Sequence, residues 1–502
     1  MSILIKNIQL IDGTGQPPRK ADVLIRGDKI SAIGTFPRYQ ANELIDGMGA
    51  YLSPGFIDIN TDSDHYLTLF SNPNQKDFLL QGVTTIIGGQ CGASLAPLLY
   101  GSLETIKPWA DVNKINVNWH GLGEFLRVLG KSPLGVNFGT LVGHATIREA
   151  LAGRDYRDLS KKELAIFTLI LEKSLKEGGF GFSTGLGYFQ AVNTPYSELR
   201  VLVNKVGQYG GIYATHLRSE KEGLLSSIEE TIRIAKETGV TAIINHFRPL
   251  VGFEKEYDEA LALIDKNAAK VRIFFDIYPF DTSVVLLHSF LPGWVQKESK
   301  EEIIKDIKTP GLREKIIKEL PRLGGEEILI ISAPQNEYLV GKSLGDYTRN
   351  RNLKNLKDGL LSLIELTKLR AVVLHKNINF KKLLDVLKIE RTIIASNGTS
   401  FKEERGIKKS ITPERFIKTF PRFLELSEKE NILPLEKAVY KITALPAQEL
   451  KIKNRGLVRE GYFADLVIFK DAKIREVILN GKHTVKEGEF QNILTGKVIK
   501  RE

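Results

Sequence analysis

The chain has 502 residues, of which 42% are hydrophobic, 26% charged and 8% aromatic. This length and composition are typical of a globular protein with one large core and a smaller domain. The formal net charge of +11 is spread along the whole chain, without the aromatic and basic pattern of an RNA- or DNA-binding surface. We therefore expect no nucleic-acid partner.

No apolar run is long enough to span a bilayer, and the segment Met1–Lys6 lacks the charged start and apolar stretch of a signal peptide. Cys91 is the only cysteine, so no internal disulfide can form. These features predict a cytoplasmic protein without a membrane partner. They do not indicate an oligomeric state.

Both ends of the chain show short apolar segments separated by tight turns. Near the start, the turn Arg26-Gly27-Asp28-Lys29 lies between alternating apolar residues, and near the end Asn480-Gly481 follows the apolar segment Ile474–Leu479. This pattern favours antiparallel hairpins. We predict that residues 1–55 and 430–502 together build one small β-sandwich domain.

Between residues 56 and 429, apolar strands alternate with helical stretches such as Lys161–Lys176, as in βα units. The strand candidates are 55–59, 84–87, 137–142, 179–182, 212–215, 241–244, 271–275 and 391–394. Eight such units predict an α/β fold with a closed (β/α)₈ TIM-type barrel, whose chemistry lies at the C-terminal ends of the strands. We expect an insertion at residues 290–350, before the last barrel strand.

Three potential metal ligands follow strand candidates at matched positions. Cys91 follows the second strand, His216 the fifth and His246 the sixth, so barrel closure would direct all three into one mouth. One thiolate and two imidazoles with an open fourth position suit a single catalytic zinc ion, although iron or cobalt could use the same set. The alternative is an inert buried thiol and two hydrogen-bonded core histidines.

Nine motifs occur in order along nearly the whole chain. They are Pro-Gly-Phe-Ile-Asp at 54–58, Gln-Gly-Val-Thr-Thr at 81–85, Gly-Gln-Cys-Gly at 89–92, Gly-His-Ala-Thr-Ile-Arg at 143–148, Gly-Phe-Ser-Thr-Gly-Leu at 181–186, Tyr-Ala-Thr-His-Leu-Arg at 213–218, Asp-Ile-Tyr-Pro-Phe at 276–280, Thr-Phe-Pro-Arg at 419–422 and Gly-Tyr-Phe-Ala-Asp-Leu-Val at 461–467. With them the chain resembles the D-aminoacylase, or N-acyl-D-amino-acid deacylase, branch of the amidohydrolase superfamily.

The resemblance implies a role for several residues. A cysteine and two histidines bind the tight zinc ion in that branch, which matches the three residues identified above. Tyr278 corresponds to a tyrosine that polarises the scissile carbonyl, and Arg218 to an arginine that receives the substrate carboxylate. Tyr188 resembles another pocket residue. An ion pair of Arg218 with Glu220 or Glu222 is the alternative for that arginine.

The chain departs from the pattern of that branch at two places. Asn60-Thr61-Asp62 stands where the branch has His-x-His, which helps to form a second, weaker metal site. Asn397 stands where it has the catalytic aspartate of Ser-Asp-Gly, and an amide cannot deprotonate water as a carboxylate does. We therefore expect one zinc ion, with a second site disfavoured.

Because the first and eighth barrel strands would be neighbours, Asp62 and Asn397 are predicted to lie at a common seam. Our hypothesis is that Asp62 supplies the missing carboxylate, with Asp64 and His65 as further candidates. The sequence then predicts a hydrolase of non-peptide carbon–nitrogen (amide) bonds that uses zinc-activated water on small N-acylated acids. If Asp62 merely caps a turn, the protein is instead an inactive binding or scaffold protein that retains the metal site. A lyase or isomerase is a third possibility.

Overall fold

The computed structural model describes residues 2–99, 103, 105–107, 110–153, 157–188, 191–296, 299–401 and 410–502. In this part of the chain the strands form four sheets, and the architecture is α/β. Among the described residues, no helix combines the length and apolar character needed to cross a bilayer.

The chain begins with five strands of one sheet. They are β1 Ser2–Leu10, β2 Arg19–Arg26, β3 Lys29–Gly34, β4 Glu43–Asp46 and β5 Tyr51–Pro54. β2 pairs antiparallel with β1 and β3, whereas β4 and β5 run parallel to β1. The turn between β2 and β3 contains Gly27 with a φ of 63°, a conformation that glycine adopts without a steric penalty.

The next strands run parallel to one another. They are β6 Phe56–Asp58, β7 Val83–Gly88, β8 Asn137–Thr140, β9 Val142–Gly143, β10 Gly181–Gly185, β11 Ile212–His216, β12 Thr241–Ile244 and β13 Ile273–Ile277. One sheet has the order β6-β7-β8, and a second contains β9 to β13. Leu141 alone separates β8 from β9, so the two sheets continue each other along the chain.

Helices lie between these strands in the sequence. They are α1 Thr68–Ser71, α2 Lys76–Leu79, α3 Leu122–Leu129, α4 His144–Ala152, α5 Lys161–Lys176, α6 Tyr196–Gln208, α7 Leu224–Thr238 and α8 Glu254–Asn267. α5 has the bounds predicted from the sequence. Its start is fixed by a capping box, in which Glu163 accepts the Ser160 N–H and donates its own N–H to the Ser160 hydroxyl.

The insertion is wider than the predicted 290–350. Its strands β14 Thr282–Leu286, β15 Ile328–Ser332 and β16 Val372–Lys376 form an antiparallel sheet in the order β14-β16-β15. Its helices are α9 Lys300–Lys308, α10 Pro310–Glu319, α11 Leu344–Asn350 and α12 Leu356–Thr367. These elements share a hydrophobic cluster of their own, from Leu287 to Val373. β14 and β16, which lie outside the predicted bounds, were missed because short apolar runs of this kind do not differ in sequence from strands of the parallel sheets.

After the insertion, the chain returns to the parallel strands. α13 Phe380–Lys388 leads into β17 Thr392–Ile394, which pairs parallel with β13. The helices α14 Glu414–Lys429, α15 Leu435–Ile442 and α16 Ala444–Glu449 follow. α15 contacts β6 and β17, and α16 contacts β6. Residues 435–449, which were predicted within the terminal domain, therefore pack against the parallel strands.

The last strands join the first sheet. They are β18 Leu466–Lys470, β19 Lys473–Leu479, β20 Lys482–Lys486 and β21 Glu489–Phe490. β18 pairs antiparallel with β5, so strands from both ends form one nine-stranded ladder. Strands from the two ends of the chain therefore share one sheet, and their arrangement as a sandwich domain stays a prediction.

The join between the two ends depends on β5, which pairs with both β1 and β18. Leu52 in β5 is fully buried, and we expect Leu52→Ala to lower the free energy of unfolding by about 2–5 kcal/mol because it leaves a cavity. Leu44 in β4 of the same sheet is 64% exposed, so Leu44→Ala should change it by less than about 0.5 kcal/mol. Urea unfolding measures both. Equal losses would contradict this view of the join.

Candidate metal centre

Cys91, His216 and His246 come together in space. His246 Nε2 lies 3.6 Å from Cys91 Sγ and 2.9 Å from His216 Nδ1, and the three potential ligand atoms all lie within 4.8 Å of one another. His216 is the last residue of β11, whereas Cys91 comes three residues after the end of β7 and His246 two residues after the end of β12. The convergence predicted at the carboxyl ends of the strands is therefore present in the fold.

Two of these residues have backbones in the left-handed region. The φ angles are 51° at Cys91 and 37° at His246. For residues other than glycine this conformation carries a cost of about 1–3 kcal/mol, and such residues cluster at functional sites. Space is also restricted here, because a Cβ on Gly187 would lie 2.7 Å from His216 Nε2.

The environment of His246 determines which ring nitrogen is available to a ligand. Its Nδ1 lies 3.2 Å from Glu220 Oε1, so Nδ1–H donates to the carboxylate and Nε2 directs its lone pair at Cys91 and His216. A carboxylate partner on the far nitrogen is a usual feature of metal-binding histidines. Desolvation and the adjacent His246 lower the pKa of His216 to about 3, which keeps that ring in the neutral form that binds metals.

The electrostatics at Cys91 also favour a cation. Desolvation, followed by the nearby carboxylates of Asp62 and Asp276, raises the pKa of the Cys91 thiol well above its usual value. A divalent cation bound to the sulfur would offset this negative potential. Sulfur and imidazole nitrogen together are a donor set that suits zinc. The residues present therefore fit the predicted ion.

Asp62 and Asn397 meet at the seam between the ends of β6 and β17. Asn397 Nδ2 donates to Asp62 Oδ2 over 3.2 Å. Two backbone hydrogen bonds fix this arrangement, from Asp62 N to the Gly398 carbonyl (2.7 Å) and from Asn397 N to the Asn60 carbonyl (2.9 Å). Two positions at which the chain departs from the pattern of the D-aminoacylase branch are thus hydrogen-bonded neighbours.

The second carboxylate oxygen of Asp62 faces His65, whose Nδ1 is 3.3 Å from Oδ1. Burial raises the pKa of Asp62, but His65, Arg415 and Asn397 outweigh it, so the pKa lies below its ordinary value. Burial opposes the charge on His65, but Asp64 and Asp62 raise the pKa of its ring to about 9. At neutral pH the two side chains form an ion pair.

Asn60, at the other departure, is held by Asp276. Its Nδ2 lies 3.1 Å and 3.3 Å from the two carboxylate oxygens, and the His246 N–H donates to the same carboxylate over 2.8 Å. Burial raises the pKa of Asp276 to about 6. Sequence reasoning did not identify this aspartate, although it begins the motif at 276–280.

Tyr278 lies beside an arginine that the sequence analysis missed. Arg248 Nη1 is 3.5 Å from the Tyr278 hydroxyl and 2.9 Å from Ser283 Oγ, and Arg248 Nη2 donates to Glu220 over 2.5 Å. The signal for Arg248 was only its position two residues after His246. Tyr188 packs against a candidate ligand, its ring centroid 4.6 Å from that of His216.

Arg218 does not face this group. Its Nε and Nη2 donate to Glu230 over 3.2 Å and 2.9 Å, and it also donates to the carbonyl groups of Val192 and Thr194. The ion pair is with Glu230 on α7, and not with Glu220 or Glu222. These contacts do not support the predicted binding of a substrate carboxylate by Arg218.

An α/β fold whose parallel strands bring one cysteine and two histidines together at their carboxyl ends is the architecture of a metal-dependent enzyme. No family model matches the chain. The chain is 29% identical to the D-aminoacylase of Alcaligenes xylosoxydans xylosoxydans over 99% of its length and 97% of that protein. It is 28% identical to the N-acyl-D-aspartate deacylase of the same organism, covering 94% and 86%.

A solved D-aminoacylase described as defining a novel subset of amidohydrolases superposes with a TM-score of 0.82, at 26% identity over 99% of both chains. The resemblance predicted from the sequence is therefore confirmed: homologues and structural neighbours of this chain are D-aminoacylases and N-acyl-D-amino-acid deacylases of the amidohydrolase superfamily. The expected enzyme class, which acts on carbon–nitrogen bonds other than peptide bonds, is that of these relatives.

The contacts of Arg218 predict a structural role. Arg218→Met should lower the free energy of unfolding by about 1–3 kcal/mol, because Glu230 and two carbonyl groups lose their donor. Glu230→Gln should have a similar effect, and the double variant should lose less than the sum of the two. Chemical denaturation of the four proteins measures this coupling, and strictly additive losses would contradict it.

Proposed function

We propose that this protein is a metal-dependent deacylase of N-acyl amino acids that holds one zinc ion through Cys91, His216 and His246. The observation that carries the proposal is the convergence of one sulfur and two ring nitrogens within 4.8 Å. The names of the two relatives support N-acyl-D-amino acids as the substrate class. When bound, zinc would supply a Lewis acid and lower the pKa of a water molecule.

We also infer that the parallel strands close into a (β/α)₈ barrel. Counting β8 and β9 as one strand, β6 to β13 and β17 provide eight. Closure is supported by the bridge between Thr61 and Gly398, which links the end of β6 to the end of β17. A closed barrel explains why side chains from β7, β11 and β12 share one mouth with Asp62.

The orientations of two asparagine side chains support one bound metal ion rather than two. The amide groups of Asn60 and Asn397 direct N–H donors at Asp276 and Asp62, and an N–H group has no lone pair for a metal. A D-aminoacylase of 27% identity and TM-score 0.82 is described as having a binuclear metal centre, with activation by one metal and attenuation by the second. In the present chain the charge of His65 and Arg415 also opposes a second cation near Asp62.

Asp62 is the carboxylate that would act on the attacking water, and Tyr278 would donate its hydroxyl hydrogen to the oxyanion that develops on the substrate. Arg248 is better placed than Arg218 to receive a substrate carboxylate. It adjoins Tyr278, and its bond to Glu220 connects it to His246. Within the described residues, its buried Nε has no hydrogen-bond partner, so one N–H donor is left for a charge-assisted contact with a carboxylate that enters the site.

The metal site is tested by zinc content. Purified wild-type protein should bind about one equivalent of zinc, and Cys91→Ala should lose most of it because a dominant ligand is removed. His375→Ala, in the insertion, is the matched control and should keep the wild-type content. Elemental analysis after dialysis measures the ratio. Full zinc content in Cys91→Ala would contradict the metal site.

The activity is tested by incubating the zinc-loaded wild type with a panel of N-acyl-D- and N-acyl-L-amino acids. Failure to hydrolyse any of them would favour the binding-protein alternative.

The role of Arg248 is tested by removing the positive charge of the arginine or the negative charge of the substrate carboxylate. Arg248→Met should lower kcat/KM for an N-acyl-D-amino acid about 10- to 150-fold, since a charge-assisted contact is worth about 1.5–3 kcal/mol and each 1.4 kcal/mol is tenfold. For the corresponding primary amide, which lacks the carboxylate, the loss should be several-fold smaller. Arg218→Met is the control and should affect both substrates alike. An equal loss on both substrates for Arg248→Met would contradict the assignment.

A further inference from the structure

We infer that Asn397 and His65 are positioning residues that hold the Asp62 carboxylate in place to accept a proton at the metal centre. The inference rests on the proposed function. It concerns the seam at which this chain departs from the residue pattern of the D-aminoacylase branch. In this view the amide at Asn397 is a working part of the site, and not the remnant of a lost aspartate.

The position of Asp62 relative to Asn397 is fixed by the backbone. The bonds from Asp62 N to the Gly398 carbonyl and from Asn397 N to the Asn60 carbonyl cross the seam in opposite directions. Thr61 and Gly398 form a parallel bridge between them. Side chains from opposite sides of the seam are therefore held within hydrogen-bond distance before any substrate is present.

The conformation of Asn397 does not by itself explain its amide group. Its φ is 46°, and asparagine and aspartate both tolerate the left-handed region. Arg415 holds this turn by donating Nη1 to the carbonyl groups of Ser396 and Asn397. An aspartate would fit the same backbone and the same volume. What distinguishes asparagine is its N–H donor, which faces Asp62 Oδ2 at 3.2 Å.

His65 holds the other carboxylate oxygen. Its Nδ1 faces Asp62 Oδ1, and its Nε2 lies 3.1 Å from the Ala93 carbonyl and 4.0 Å from Asp64 Oδ1. Because both ring nitrogens face oxygen atoms, both carry hydrogen and the ring is an imidazolium. Each oxygen of Asp62 thus accepts one hydrogen bond from the protein and keeps a further lone pair.

The proposed step balances without another reactant. As the water oxygen forms a bond to the scissile carbonyl carbon, one water proton passes to Asp62. When the carbon–nitrogen bond then breaks, Asp62 returns that proton to the leaving nitrogen and is again a carboxylate. The second proton of the water is released with the product carboxylic acid. Asn397 and His65 keep their hydrogens throughout.

The decisive variant is Asn397→Asp, which introduces the aspartate that the D-aminoacylase branch has at this position. Two carboxylates within hydrogen-bond distance do not both ionise readily. We therefore expect kcat with an N-acyl-D-amino acid to fall at least tenfold, and the acid limb of the kcat/KM profile to move to higher pH. If Asn397 is only the remnant of a lost catalytic aspartate, the same variant is as active as wild type or more so, which would overturn the inference.

Two further comparisons separate positioning from general damage. Asp62→Asn should lower kcat by a factor of about 10²–10⁴, and Asp62→Asn combined with Asn397→Asp, which restores one carboxylate and one amide, should recover at least tenfold of that loss. His65→Gln, which retains a donor, should keep more activity than His65→Leu. No recovery in the exchanged variant, together with equal activity of the two His65 variants, would also contradict the inference.

A readout independent of activity is stability against pH. In zinc-loaded Asn397→Asp, the close carboxylate pair raises the pKa of one member, so its stability relative to wild type should be retained at pH 5 and lost as the pH rises to 8. The exchanged double variant should not show this loss. Zinc content should stay at the wild-type value in all variants. An inactive wild type would overturn both proposals, whereas an active wild type with a pH-independent, fully active Asn397→Asp would overturn this one alone.

Discussion

His246 Nε2 is the atom on which the site depends, because it lies between Cys91 Sγ and His216 Nδ1. Two nitrogen atoms 2.9 Å apart cannot both present lone pairs to each other without repulsion, and one shared hydrogen or one cation resolves this. The bond from His246 Nδ1–H to Glu220 determines which nitrogen is available. Glu220 therefore leaves Nε2 as the nitrogen that faces the other two candidate ligands.

Glu220 also connects the three candidate ligands to Arg248 and Tyr278. One of its oxygens accepts from His246 and the other from Arg248, whose Nη1 adjoins Tyr278. Glu220 thereby holds the Arg248 guanidinium beside the Tyr278 hydroxyl. If Arg248 receives the substrate carboxylate, as proposed, the site would favour an acylated acid over an uncharged amide, since a charge-assisted hydrogen bond is stronger than one between neutral groups.

The sequence was most informative where a residue type and a strand end coincide. Cys91, His216 and His246 could be identified because each follows an apolar run, and parallel strands bring their carboxyl ends to one side. The neighbouring positions of Asp62 and Asn397 were predictable for the same reason. Arg248 and Arg218 were not distinguishable, because both are arginines two residues after a candidate ligand. Arg218 pairs with Glu230 on α7, whereas Arg248 pairs with Glu220 beside the candidate ligands, and this difference becomes visible only in the fold.

The limits of the insertion were unpredictable for a related physical reason. β14 and β16 pair with each other across some ninety residues of sequence, and pairing at such separation leaves no local signature. Short apolar runs serve equally well in a parallel sheet or in an antiparallel one. Where the insertion begins matters for the site, because Ser283 in β14 accepts a hydrogen bond from Arg248.

The presence of one carboxylate and one amide at the seam is consistent with charge balance. If Asp62 and Asn397 were both carboxylates, the mouth would gain a negative charge that only His65 and Arg415 oppose. If both were amides, His65 would be a buried cation paired only with Asp64. One carboxylate and one amide leave the ion pair with His65 intact and supply each carboxylate oxygen with a donor. The backbone bonds across the seam hold the two positions within hydrogen-bond distance, so one carboxylate and one donor satisfy each other there.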